Sequence, residues 1–266
     1  MIDIFPTEQE QTLKAFLDRK AFDFNAFSFI ESDPISVPHL FSKKQDIEIA
    51  AFFSAVFAWG NRTTIIQKST ELMKRMEMSP YDFCLNHNEK DLKKLSGFKH
   101  RTFNETDLFY FIEFLQLHYS QFDSLEDAFS RDDRDSSTVE KVETALNGFY
   151  HYFFSQEHAP ARTRKHIAAP EKNSTCKRLN MFLRWMVRKD NKGVDFGIWK
   201  TISPSELICP IDLHVARVAR RFNLLKRKVI DWDAAVELTT WLRQLDPVDP
   251  VKYDFALFGL GVMEKF

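Results

Sequence analysis

Two short stretches of this 266-residue chain hold most of the side chains that can do chemistry. In PIDLHVARVARRF, residues 210–222, Val215, Val218, Ala219 and Phe222 recur at i, i+3, i+4 and i+7, the spacing of one buried helix face. Arg217, Arg220 and Arg221 are left for the other side. Asp212 stands where this helix begins. A carboxylate there caps free backbone N–H groups and gains from the positive end of the helix dipole. In CKRLNMFLRWMVR, residues 176–188, Lys177 opens a second amphipathic helix with Leu179, Phe182, Leu183, Met186 and Val187 on its apolar side.

Both stretches lie in a basic region that the overall charge hides. The formal net charge is −1, yet residues 161–228 carry 17 Lys and Arg against 5 Asp and Glu, whereas residues 121–145 carry 3 against 8. Such a cluster is the electrostatic footprint of phosphate binding, because each neutralised phosphate releases counterions.

Taken together, the two stretches resemble the core of the helix-hairpin-helix DNA glycosylase superfamily, the endonuclease III group. Members of that group carry a hairpin, a helix beginning near a catalytic Lys, and an hDxH segment holding a catalytic Asp. IDLHVARVARR matches the last of these and CKRLNMFLR the second. The spacing of Lys177, Phe182, Leu183 and Arg184 is similar to the branch that lacks an iron–sulfur cluster and removes 8-oxoguanine. FFSAVFAWGNRTT is similar to the family's LLSAQATD-like segment, with Val56 in place of the usual Gln. The resemblance covers residues 48–117 loosely and 177–225 more clearly.

What the resemblance implies is a DNA base-excision glycosylase, with abasic-site lyase activity where the Lys acts as nucleophile, working on double-stranded DNA that carries a damaged base such as an oxidised purine. Lys177 is then the amine that attacks C1′, and Asp212 the carboxylate that stabilises the cationic sugar. Lys172, Asn173, Ser174 and Thr175 stand where the family's Gly-x-Gly hairpin meets a phosphate. Arg178, Arg184, Arg217 and Arg220 add to the DNA-binding surface, and Asn61 or Arg62 fills the gap left by the extruded base. Trp59, Phe103, Trp185 and His214 are the expected base pocket. Two other readings stay open: a nucleic-acid-binding protein that keeps this fold without the chemistry, and a helical scaffold for protein partners.

The elements that must position these residues are helices. Hydrophobic residues make up 44% and Phe supplies 27 positions against 7 Gly, a balance that favours packed helices over a sheet. The resemblance implies an all-α, two-lobed fold with the active-site cleft between a central bundle, residues 46–189, and a second lobe from residues 1–45 and 190–266. Thr7 with Glu10 reads as a capping box for a helix through Leu17, Asp46 as the cap of an almost wholly apolar helix ending at Gly60, and Asp249 as a cap ahead of Pro250. Cys84, Cys176 and Cys209 are too far apart to form a ligand set, and DFALFGLGVMEKF contains no Cys, so no iron–sulfur cluster, metal or other cofactor is expected. The acidic, polar start and the lack of a long apolar run point to a cytoplasmic protein without a membrane segment, and a monomer is expected.

Overall fold

The computed structural model describes residues 8–130 and 138–264. The chain is mostly helical, as its composition predicts. Among the described residues the strands are two two-residue segments, β1 (Lys99–His100) and β2 (Phe103–Asn104), paired antiparallel across a turn at Arg101.

The N-terminal helices are α1 (Glu8–Phe24) and α2 (Phe27–Glu31). A helical hairpin follows, α3 (Lys44–Phe57) and α4 (Arg62–Arg75). Next come α5 (Pro80–Asn86), α6 (Glu89–Leu95), α7 (Glu105–Tyr119) and α8 (Thr138–Phe153). The C-terminal third contains α9 (Lys177–Val187), α10 (Leu213–Arg221), α11 (Trp232–Leu245) and α12 (Tyr253–Phe258).

Helix α3 is the centre. Every residue from Ile47 to Phe57 is buried, the condition of a helix apolar on all sides. Phe52 meets Phe111 of α7, Phe149 and Phe153 of α8 and Phe182 of α9, with ring centroids between 5.6 and 6.2 Å apart. These stacked, tilted and edge-on contacts add to the roughly 1.5–3 kcal/mol that full burial of such a side chain contributes. Packing of α9 against α3 gives the Lys177 helix a rigid support. On the other side α10 packs on α12, and α12 in turn lies along α1.

Several local expectations are corrected. Helix α1 runs on to Phe24, because Leu17 and Ala21 bury against α12; Thr7 lies outside the described residues. Helix α3 starts two residues before Asp46, whose carboxylate instead accepts the Tyr81 N–H at 2.9 Å and ties α5 to α3. That helix stops at Phe57, with Gly60 beyond it at φ +109°. Asp249 caps nothing with its side chain, which pairs with Arg188 at 3.0 Å. For α1, Asp46 and Asp249 a tertiary partner outcompetes the local one.

Candidate active site

The Lys177 helix is entered through an unusual backbone. Asn173 and Cys176 both lie in the left-handed region, at φ 56° and 50°. Asn tolerates this conformation; Cys rarely adopts it, so the entry carries local strain. The glycine-free turn is held by hydroxyls. Ser174 Oγ accepts the Cys176 N–H at 3.2 Å and Thr175 Oγ1 accepts the Lys177 N–H at 3.3 Å.

From that start Lys177 reaches Asp212, with Nζ 3.0 Å from Oδ2. The carboxylate divides its work. Oδ1 accepts the backbone N–H groups of His214 at 2.9 Å and Val215 at 3.0 Å, capping α10, and Oδ2 is left for the lysine. The cap therefore aims the acid as well as ending the helix. Burial works to raise the Asp212 carboxyl, but the Lys177 charge and the two N–H donors overcome it and hold the group below its ordinary range. Asp212 is an anion at neutral pH.

The pair lines a cavity of about 780 Å³. Its walls come from α2, the α3–α4 connection, α9, the start of α10 and the C-terminal helix, with Phe29, Trp59 and Phe258 as aromatic members. Phe29 meets Phe258 edge-on at 6.4 Å, while the Arg62 guanidinium lies 5.1 Å and the Lys177 amine 6.0 Å from the Phe258 ring centre. At the rim the Arg101 guanidinium stacks 4.4 Å from the Trp59 ring, and a side chain at Gly60 would collide with it. Leu213, between Asp212 and His214, is 75% exposed at the mouth.

Below the pair lies a layer of buried charge. Arg184 donates to Asp254 and to Asp195, and Arg188 pairs with Asp195, Asp190 and Asp249. Burial pushes the Asp254 carboxyl up to about 6, although the Arg184 charge opposes it. Two acids of one cavity are thus driven apart, Asp212 down and Asp254 up.

The expected site residues separate into three groups. Lys177, Asp212, Asn61, Arg62, Trp59 and His214 meet at the cavity; Asn61 also caps α4 by accepting the Thr64 N–H. Lys172 and Asn173 are exposed beside them in sequence. Arg217 and Arg220 serve backbone carbonyls, Arg217 donating to Gly261 and Arg220 to Arg227 and Lys228.

The rest are corrections. Arg178 is turned inward and donates to the Val56 and His166 carbonyls, so it ties α9 to the end of α3 and offers no phosphate contact. Arg184 is 4% exposed and lines the cavity from within its ion-pair layer, so it is not part of an exposed basic face. Phe103 and Trp185 have no exposure at all and sit in the core, where large apolar surface is most stabilising. Conversely, Asp33, Phe29 and Phe258 line the cavity without having been singled out, since their approach to Lys177 is set by folding and leaves no local pattern. Asp254, the partner of Arg184, also lines it.

Among the described residues no cluster of His, Cys, Asp and Glu is suited to a metal ion, and no helix is long and apolar enough to cross a membrane. Cys84, Cys176 and Cys209 are free and buried.

Fold and cleft define a mostly helical protein with a charged, aromatic-walled pocket built around a lysine–aspartate pair. The chain belongs to the family described as "Protein of unknown function (DUF2400)", which it matches over residues 33–263. No curated protein and no solved structure matches it.

Proposed function

We propose that the protein is a DNA base-excision glycosylase with abasic-site lyase activity, of the helix-hairpin-helix type that its sequence resembles, acting on double-stranded DNA with a damaged base. The observation that carries this reading is the Lys177 amine 3.0 Å from the Asp212 carboxylate inside a cavity of about 780 Å³. In this reading the described residues of 46–189 make one lobe of that frame and those of 1–45 with 190–266 the other.

The chemistry follows from the pair. A base must leave the helical stack before its glycosidic bond is accessible, and the aromatic walls offer it a slot. As the bond from C1′ to the base nitrogen breaks, the electron pair leaves with the base and positive charge develops on the sugar. The Asp212 anion stabilises that charge electrostatically. The Lys177 ammonium passes a proton to Asp212, its neighbour, which frees the lone pair that adds to C1′, and the added nitrogen then sheds a further proton to solvent. Ring opening, in which the C1′–O4′ bond breaks and O4′ takes up a proton, converts the adduct to a protonated Schiff base, and loss of a C2′ proton to solvent or the released base then expels the 3′ phosphate by β-elimination.

Borohydride trapping on duplexes with a central abasic site or a central 8-oxoguanine tests the reading. A covalent complex is expected with the wild type and none with Lys177→Ala; Asp212→Asn should slow base release by about a hundredfold or more. Salt-sensitive binding without a trapped species would reject the lyase, and no DNA binding at all would reject the whole assignment.

A further inference from the structure

Filling the gap left by an extruded base, the part the sequence offers to Asn61 or Arg62, needs a side chain that projects outward. Arg62 is turned the other way. It is the first residue of α4, half-buried, and its guanidinium lies 5.1 Å from the Phe258 ring centre at the wall of the cavity. The Lys177 amine lies 6.0 Å from the centre of the same ring, so the two cations converge on one aromatic surface.

The other charged groups of this cavity have partners. Asp212 holds Lys177, Asp254 holds Arg184, and Asp33 accepts the Ile35 N–H at 3.1 Å. Asp33 is close enough to feel the Arg62 charge, yet the two form no ion pair. Among the described residues nothing accepts a hydrogen bond from the Arg62 guanidinium, which leaves five N–H donors in a planar fork with a charge that cannot be lost near neutral pH. Contact with the Phe258 ring holds that fork in place without using a donor. Such a group suits an anionic oxygen centre that arrives with the ligand, and its geometry matches phosphate.

The reaction supplies that anion. When a base enters the cavity its sugar and phosphates stay at the mouth, where Gly60 and Asn61, the neighbours of Arg62, are exposed. With C1′ at Lys177, the 3′ phosphate of the same nucleotide is only a few bonds away. β-Elimination breaks the C3′–O3′ bond, the electron pair passes to O3′, and the departing phosphate goes from one negative charge to two as the C2′ proton is lost. A cation beside it stabilises charge that grows in the transition state.

We propose that Arg62 is a catalytic residue of strand cleavage, its guanidinium binding the 3′ phosphate of the extruded nucleotide and stabilising the charge that this leaving group gains. This rests on the lyase reading of the Lys177–Asp212 pair. It divides the work: Lys177 forms the Schiff base, and Arg62 assists the later departure of phosphate.

Single-turnover reactions of full-length wild type, Arg62→Ala and Arg62→Lys, with enzyme in saturating excess over a duplex that carries a preformed abasic site, follow the two steps separately. Borohydride trapping reports the Schiff base and strand scission reports elimination. Trapping by both variants should be no less than by wild type, which also shows that they are folded. Scission should fall roughly tenfold to a hundredfold in Arg62→Ala and by less in Arg62→Lys, which keeps the charge and loses the fork. On a duplex with an uncharged methylphosphonate as the 3′ linkage, the gap between wild type and Arg62→Ala should shrink. Scission by Arg62→Ala at the wild-type rate would overturn the proposal and leave the lyase reading in place. A deficit as large on the methylphosphonate duplex, or a matching loss of trapping, would overturn it too and put Arg62 in general DNA binding. If wild type forms no trapped complex, the lyase reading fails and the assignment of Arg62 falls with it.

Discussion

Glu48 and Asp212 are both carboxylates enclosed by helices, and their surroundings differ in one respect. Glu48, without exposure in the middle of α3, accepts hydrogen bonds from Ser124 Oγ at 2.5 Å, Trp199 Nε1 at 2.6 Å, Tyr119 Oη at 2.9 Å and the Leu125 N–H at 3.1 Å. Those donors come from three separate parts of the chain and exhaust the group. Asp212 spends one oxygen on its own helix and holds a lysine with the other, at the wall of a cavity. An acid saturated by the protein fastens the fold. An acid with one exchangeable partner beside open space is placed for chemistry.

The contrast is broken most sharply at Glu48. Replacing it by Ala strands four buried donors, and leaving such groups unmatched costs about 1–3 kcal/mol each before relaxation. Glu48→Ala should therefore lose at least about 3 kcal/mol of stability, roughly 6–12 °C in melting temperature for a chain of this size. Asp212→Ala removes a cap and should cost only about 1 kcal/mol. Thermal melts of the two variants side by side check this, and equal losses would erase the distinction.

The second test uses Asp254, the acid that burial raises to about 6. Its unfolded counterpart titrates near 3.8, the ordinary aspartate value, so between those two values the folded state holds more protons than the unfolded one. Stability must then fall as pH rises through that window, with a slope of about 1.4 kcal/mol per pH unit for one proton. Asp212 has the opposite sign: its lowered carboxyl contributes stability that is present above its ordinary value and lost as pH falls. Denaturant titrations from pH 4 to 7 should show Asp254→Asn gaining on wild type as pH rises. Parallel curves would mean that Asp254 is ionised throughout and belongs with the fastening acids.

Legibility in the sequence divides along the same line. The helical class follows from composition and periodicity, and α9 and α10 begin where their apolar spacing places them. Lys177 and Asp212 stand at helix starts, where residue type and position carry a local signal, and the two meet at the cavity. Phe103, Trp185 and Arg178 were misplaced because an aromatic or basic side chain has the same appearance in a sequence whether it faces a ligand or the core. Arg178 shows why: its neighbour Lys177 faces the cavity, while one residue on, about 100° around the helix, the guanidinium meets two backbone carbonyls near the end of α3. Asp33 and Asp254 come from opposite ends of the chain, and only the path of the backbone brings them to one cavity.

The smallest effect sharpens the comparison at the surface. Lys172 is exposed, next to the left-handed Asn173, and its amine lies 3.5 Å from Glu171 and 5.6 Å from the Tyr150 ring centre. Such an exposed ion pair contributes little to stability, at most about 1 kcal/mol. If the turn before α9 meets DNA phosphate, Lys172→Ala should leave the melting temperature unchanged and reduce the salt dependence of duplex binding by about one charge, a change of roughly 0.9 in the slope of log K against log salt. Arg178→Met should do the reverse: its two buried carbonyls lose their donor and the protein is destabilised, while the salt slope stays where it was. Binding isotherms at four salt concentrations separate the two residues. A slope altered by Arg178→Met alone would place the phosphate contact on α9 itself and remove the turn from the interface.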